Sequence, residues 1–323
     1  MRRREFIAGL GAAGWPLAAR AQQGERVRRV GVLTFGAETD TAAGAPMRKL
    51  LGDELRKLGW IEGRNLRLDF RFGNRDDTQT RVFAADLVQL MPDVIVTSYT
   101  VAIRALQEQT KTIPIVFYSA GDVLEKGTVT NSARPEGNVT GFTNAFGSLG
   151  GKWLQLLKEV APDITRVLFI YVEGGGYYLQ SVETAARSLG VQVVAILVSD
   201  ADGRKAAIEA FAAEPNGGLL ATPGSVAFAP NELIRLAAQH RLPAIYTGVL
   251  PPASGGLMTY SADSESLRGA ATYVDRLLRG ARVSDLPVQY PTKFRLAINL
   301  KTAKALGLEV PASILLRADE VIE

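Results

Sequence analysis

The sequence predicts an α/β protein of two doubly wound, Rossmann-like lobes joined by a multi-crossing hinge. Three observations predict it. Short apolar runs rich in β-branched residues alternate with amphipathic helical stretches from Val27 onward. The rhythm pauses near residue 134 and restarts near 151, so two similar halves follow one another. Proline and glycine gather at 134–138, 250–256 and 287–291, where crossings between the halves are expected.

In the first half, strands are expected at 30–35, 66–70, 94–98 and 115–119, with helices at 46–58, 77–90 and 101–109 between them. In the second, strands at 167–172, 191–198, 218–221 and 244–246 alternate with helices at 151–160, 178–189, 204–212 and 231–240. Two helices show the evidence. Trp153, Leu156, Leu157 and Val160 repeat at i, i+3, i+4 and i+7 until Pro162 ends the pattern. Leu267, Ala270, Ala271, Val274, Leu277 and Leu278 form a second stripe, closed by Gly280. Both stripes need a sheet to cover them. A short strand at 139–142 follows the turn-forming run 134–138, which suits a crossing. The expected division is 27–138 with 256–284 for the amino-terminal lobe, and 139–250 with 288–323 for the carboxy-terminal lobe. The duplication is one of rhythm, since no residue-level repeat accompanies it.

Residues 1–21 read as a signal peptide. Arg2, Arg3 and Arg4 make a positive start, 7–17 a short apolar core, and Ala19-Arg20-Ala21 a cleavage site. Export to the periplasm is the expectation, and because Arg3-Arg4-Glu5-Phe6-Ile7 approximates the twin-arginine pattern, that route stays open beside the general one. Gly9, Gly11 and Gly14 spell G-x-G-x-x-G, but that motif binds a dinucleotide only between a strand and a helix; here it is leader composition.

The full chain carries 37 basic and 33 acidic residues. Removing the leader's four arginines and one glutamate leaves 33 and 32, a net charge of +1, which gives no case for nucleic acid as a partner. No apolar run reaches the roughly 18 residues of a spanning helix, so no stable membrane insertion is expected. Without cysteine there is no disulfide, thiolate metal site, cysteine nucleophile or lipidated cysteine. The single histidine, His240, falls at the end of a predicted helix, a solvated terminus that leaves no two-histidine metal site and no Ser-His machinery. No P-loop, G-x-S-x-G or H-E-x-x-H occurs. No cofactor and no metal are expected. Asn138-Val139-Thr140 fits a glycosylation acceptor and is read as coincidence beside a bacterial-looking leader.

Open α/β sheets bind ligands beyond the carboxyl ends of their strands. The residues there are polar and aromatic: Thr34-Phe35, Ser98-Tyr99-Thr100 and Tyr118-Ser119-Ala120-Gly121-Asp122 in the first half, then Tyr171-Val172-Glu173, Thr222-Pro223-Gly224 and Tyr246-Thr247 in the second. With Tyr177, Tyr178 and Tyr260, seven of the nine tyrosines fall at or near such ends. Two readings compete. Tyrosine suits a strand end with its ring buried and its hydroxyl wet, and Ser98, Thr100 and Ser119 are placed to cap helices or turns. A helix start bearing a hydroxyl is also a carboxylate site. Asp122 reads as a cap or a ligand contact, and Glu173 as a solvated loop acid or a ligand contact.

Several segments carry a resemblance: IPIVFYSAGDVLEKGTVTNSARPEGNVTGF, GKWLQLLKEVAPDITRVLFIY, GGLMTYSAD, and the closing YVDRLLRGARVSDLPVQYPTKFRLAINLKTAKALGLEVPASILLRADEVIE. Over nearly all of the chain after the leader they resemble ABC transporter substrate-binding proteins of the tryptophan/tyrosine-binding-like family. The closing segment and Asn138-Val139-Thr140-Gly141 are the most specific parts. The resemblance implies a type I periplasmic binding fold, three crossings, an enclosed small-molecule ligand, and delivery of that ligand to a membrane permease with its ATPase. By position it assigns 98–100 and 119–122 to the wall of one lobe, and Phe142-Thr143, Tyr171 to Glu173, Thr222 and Tyr246-Thr247 to the other.

The expected mechanism is capture of a small carboxylate-bearing solute, an amino acid or aromatic compound, without bond chemistry. Ser98, Thr100 and Ser119 would hold the carboxylate, Asp122 or Glu173 an ammonium, and Tyr99, Tyr171 and Tyr246 the apolar part. Two other classes stay open. One is a cleft enzyme, an isomerase or lyase, using Lys152, Asp122 and Glu173 as an acid/base set. The other is a soluble sensor presenting its ligand to a membrane receptor.

Overall fold

The central strands of the first sheet are so apolar that both of their faces must be covered. A computed structural model describes residues 26–39, 44–121, 123, 127–143, 147–172, 175–228, 230–247, 254–262 and 265–323. The expected signal peptide, Asp122 and Glu173 lie outside these residues. Strands β1 (Arg28–Thr34), β2 (Leu66–Phe72), β3 (Val94–Ser98), β4 (Ile115–Ala120) and β5 (Val139–Thr143) are all parallel and run in the order β2-β1-β3-β4-β5. Parallel strands need crossover helices on both faces, which is why Val94, Ile95, Val96, Ile115, Val116 and Phe117 are all buried without alternation. The crossovers are α1 (Ala45–Lys57), α2 (Asp77–Gln89) and α3 (Thr100–Gln109). Helix α1 buries Met47, Leu51 and Leu55, spaced four apart, and α2 starts where Asp76 accepts a 2.8 Å hydrogen bond from the Gln79 N–H.

The second sheet holds β6 (Arg166–Tyr171), β7 (Gln192–Leu197), β8 (Gly217–Ala221), β9 (Ala244–Tyr246), β10 (Met258–Ala262), β11 (Phe294–Asn299) and β12 (Glu320–Ile322). Their order is β12-β11-β10-β9-β8-β6-β7, parallel except where β10 meets β11. Around it lie α4 (Leu149–Val160), α5 (Leu179–Leu189), α6 (Ala201–Ala212), α7 (Pro223–Phe228), α8 (Pro230–Gln239), α10 (Leu300–Leu306) and α11 (Ala312–Leu315). The stripe beginning at Trp153 covers this sheet as the periodicity predicts; Trp153 is 1% exposed and its indole N–H donates to the Tyr260 carbonyl at 2.9 Å. Helix α9 (Ser266–Leu278), the second predicted stripe, packs instead on the first lobe, against α1, β4 and β5.

Sheet membership corrects the expected lobe boundaries in two places. Strand β5 pairs with β4 in the first sheet, so 139–143 stays with the amino-terminal half. Strand β10 pairs with β9 and β11 in the second sheet, so only α9 of the 256–284 block returns to the first lobe. A five-residue strand carries no signal of which sheet will accept it. The chain therefore leaves the first sheet after Thr143, re-enters it through α9, and leaves again between Tyr290 and Phe294. The 134–138 turn leads into β5 within one lobe, and the strands flanking 250–256 share one sheet. Near 287–291 the expectation is close: Val288 N–H donates to Ser132 and Gln289 N–H to Gly141, extending the first sheet past β5 before the chain crosses.

Asn138 is 8% exposed and its amide donates to the carbonyls of Thr110 and Ile113, so it is a structural tie and no acceptor for a glycan. His240 follows α8 as a half-buried residue; its Nε2 is shut off from solvent without a partner among the described residues, so the terminus is only in part the solvated one expected.

Candidate functional site

Each sheet has one place where successive connections leave in opposite directions. In the first it lies between β1 and β3, flanked by β2 and β4; in the second it lies between β6 and β8. A crevice opens beyond the strand ends at such points. At the first, Phe35 and Tyr99 follow β1 and β3, and their rings meet edge to face with centroids 6.1 Å apart. At the second, Tyr171 ends β6, stacked on Phe169 at 5.5 Å, and Thr222 follows β8.

The backbone beside the first crevice is strained. Tyr99 has φ 65° and Ser119 φ 50°, a left-handed conformation that aromatic and other non-glycine residues rarely adopt. Such strain costs about 1–3 kcal/mol per residue and persists where surrounding structure imposes it, commonly at ligand sites. At Ser119 the pairing of β4 with β5 also slips, between Tyr118 and Ala120. Pairing resumes at once beyond the slip, with Ala120 opposite Thr143. Thr100 Oγ1 donates to the Gly121 carbonyl at 3.1 Å and so ties the start of α3 to the end of β4. Ser119 Oγ and Ser266 Oγ lie 3.2 Å apart, tying β4 to the first turn of α9.

Among the described residues no helix is closed by Ser98, Thr100 or Ser119 through a cap hydrogen bond that is seen. The N-cap of α3 is Tyr99, with no side-chain hydrogen bond to the helix. Ser98 is 1% exposed, and its Oγ, with the Oη of its cross-strand neighbour Tyr118, has no completed hydrogen bond among the described residues. Burial pushes the Tyr118 hydroxyl up to about 12, opposed by the nearby Ser98 hydroxyl, so it stays a proton donor at neutral pH. An unpaired buried hydroxyl costs roughly 1–3 kcal/mol, and these two, adjacent beneath a strand end, have at most each other as a partner among the described residues, which leaves polar capacity to spare.

The other predicted residues divide. Phe142 packs its ring on Tyr273, centroids 4.7 Å apart, on the α9 side of the first lobe and not on the second lobe as expected. Thr34 is buried and its Oγ1 accepts from the Gly36 N–H, shaping a turn. Ala120 is buried and presents its carbonyl to Thr143 Oγ1 at 2.8 Å. Thr222 is buried, with Oγ1 3.4 Å from Ser225 Oγ in the first turn of α7. Tyr246 departs most. Its ring is 1% exposed in the core beside Gly256, where it lines a flank cavity of about 110 Å³ with Ile234, Ala237, Leu242 and Leu306. An alternating strand aims Ala244 and Tyr246 at the same flank, away from the strand ends. Lys152 Nζ reaches Gln155 of its own helix, outside any cluster with a described acid.

The sequence reading missed how the lobes meet. Tyr177, in the 3₁₀ turn after β6, lies against Gly121, just past β4: a Cβ built on Gly121 would fall 2.8 Å from Tyr177 Oη. The carboxyl ends of the two sheets therefore face one another. Tyrosine clustering hinted at this, but nothing local showed the contact.

A fold of two α/β sheets whose strand ends confront each other across such a contact is that of two-lobed solute-binding proteins. The model of the ABC transporter substrate binding protein family matches residues 43–322, and the chain belongs to that family. A curated relative, the tyrosine-binding protein of Clostridioides difficile (strain R20291), is 26% identical over 259 residues, covering 79% of this chain and 74% of the relative. Among solved structures, a conserved domain protein from Vibrio cholerae O1 biovar El Tor superposes with a TM-score of 0.82 at 26% identity, over 92% of this chain and 100% of its own. A Streptococcus pneumonia ABC domain in complex with L-Trp gives a TM-score of 0.80 at 21% identity, over 91% of this chain and 99% of its own. The fold is thus the type I periplasmic binding fold that the sequence predicts, and the family is one of solute-binding proteins. No helix among the described residues is long and apolar enough to cross a membrane.

Proposed function

We propose that the chain is the periplasmic substrate-binding component of an ABC importer, capturing a small carboxylate-bearing solute between its lobes and handing it to a permease with its ATPase. The observation that carries this reading is the confrontation of the two strand-end crevices at Gly121 and Tyr177. The tyrosine-binding relative and the L-Trp complex favour an aromatic amino acid as the solute. The carboxylate is received at the uncapped start of α3, where Ser98 Oγ supplies a buried donor and the helix N-terminus a favourable field. Ser119 and Thr100 hold that corner in shape through their own hydrogen bonds. Tyr99, Phe35 and Tyr171 supply the apolar walls, and Asp122 or Glu173 pairs with the ammonium. Contact with both lobes at once biases an open–closed equilibrium towards closure.

Calorimetric titration with L-tyrosine and L-tryptophan tests it. One of the two should bind with 1:1 stoichiometry, and Ser98→Ala should weaken it about tenfold to a hundredfold, the worth of a hydrogen bond to a charged group. Asp122→Ala and Glu173→Ala should divide, one losing affinity for the amino acid and the other not. Affinity unchanged in Ser98→Ala would remove the carboxylate assignment.

A further inference from the structure

The contact between Gly121 and Tyr177 links two lobes built on separate sheets, and it leaves no room for a side chain at position 121. Besides the 2.8 Å approach to Oη, a Cβ on Gly121 would lie 3.0 Å from Tyr177 Cε1 and 3.1 Å from Cζ. It would strike the edge of the ring, not merely its tip. The ring is also supported from behind. Tyr177 packs on Tyr178 with centroids 4.0 Å apart, and Tyr178 on Trp153 at 4.5 Å. Tyr178 and Trp153 are each 1% exposed, anchored in the second core by α4 and α5. Three aromatic rings therefore form a strut running from that core to the backbone of the first lobe. At its far end, the Gly121 carbonyl is held by Thr100. Gly121 has no left-handed φ, so backbone conformation does not demand glycine there. Clearance for the strut does.

We propose that Tyr177 and Gly121 form the closure stop of the binding cleft: the Tyr178-backed ring of Tyr177 sets how far the lobes approach, and the missing side chain at position 121 is what lets them reach that position. Both are positioning residues, acting on the ligand through the open–closed equilibrium. The inference rests on the two-lobe closure reading above, but not on the identity of the solute.

The absence of cysteine makes the test clean, because cysteines introduced at exposed Arg104 on α3 and Glu183 on α5 are the sole sites for spin labels. Pulsed electron resonance then gives the interlobe distance distribution without added ligand. In the labelled protein a short-distance population should be present, and Gly121→Ala should reduce it about tenfold in favour of longer distances. Adding Tyr177→Ala should restore it by removing the ring that the new methyl strikes. The melting temperature should change little in Gly121→Ala, since neither core is touched. A distribution unchanged by Gly121→Ala, or a shift that persists after Tyr177→Ala, overturns the closure stop. Titrating the same labelled protein with L-tyrosine and L-tryptophan separates the two ideas: distances that never respond to either amino acid count against the proposed function, while the ligand-free comparison still decides the stop.

Discussion

Gly141→Ala is the sharpest stability test of the architecture. Gly141 sits in β5 with φ 153°, and a Cβ there would lie 2.0 Å from the Phe117 carbonyl oxygen and 2.6 Å from the Phe117 nitrogen. These are backbone atoms of the paired strand β4, so no rotamer change relieves them. Strand β5 must move away by more than an ångström to reach ordinary contact. That loosens its ladder with β4 and the two 2.9 Å bonds through which Gln289 joins the edge, Gln289 N–H to Gly141 and Thr143 N–H to Gln289. Two or three hydrogen bonds at about 1 kcal/mol each, with about 1–3 kcal/mol for a side chain in glycine-only backbone space, give roughly 3–6 kcal/mol. Urea unfolding can assign that loss to a lobe. Apart from Trp15 the chain has only Trp60, packed in the first lobe against α9, and Trp153, in the second core. With one tryptophan at a time replaced by phenylalanine, the Trp60 transition should move to lower urea in Gly141→Ala and the Trp153 transition much less. A Trp60 midpoint unchanged within about 1 kcal/mol would falsify the strand register.

Other outcomes follow from the same structure. Trp153→Ala should cost about 3–5 kcal/mol, through the cavity left in the second core and the lost bond to the Tyr260 carbonyl, read as a lower thermal midpoint. Asn299 caps α10 by accepting from the Thr302 N–H at 3.0 Å, and Asn299→Ala should cost about 1 kcal/mol by urea unfolding. Asp200 caps α6, and the Gly203 N–H, then the Ser199 hydroxyl, hold its carboxyl below the ordinary 3.8. A depressed value means that the stabilisation is full above 3.8 and lost as pH falls through the lower folded value, so Asp200→Asn should flatten part of the acid limb in melts run at decreasing pH.

Much of the fold was legible because the signals were local and repeated. The apolar runs at 94–98 and 115–119 have no alternation, and the i, i+3, i+4, i+7 stripe at Trp153 admits one face; both appear where expected. Membership was not local. Strand β5 is five residues long, and what seats it on β4 is the bare backbone of Gly141 against Phe117, a contact between residues 24 apart in the chain. The last thirty residues add β11 antiparallel to β10 and β12 beyond it, pairings that no periodicity announces.

The candidate site was legible as a pair of strand-end regions and less so as side chains. Strand ends are strand ends in any sheet of this kind, so Ser98, Tyr99, Ser119 and Tyr171 fall at the crevices. Which way a side chain turns depends on strand parity and on the packing above it, so Tyr246 points into the flank of the second lobe and Phe142 under α9. The left-handed φ of Tyr99 and Ser119 and the approach of Tyr177 to Gly121 are products of tertiary assembly, and the residues involved carry no local mark of them.

Small-angle X-ray scattering of the purified protein, unfolded to strip any retained small molecule, refolded, and measured with and without saturating aromatic amino acid, bears most directly on the whole account. A radius of gyration that falls on adding L-tyrosine or L-tryptophan, and stays constant with an uncharged sugar, is the predicted result. Identical scattering profiles in every case would contradict a pair of lobes that shut on such a solute.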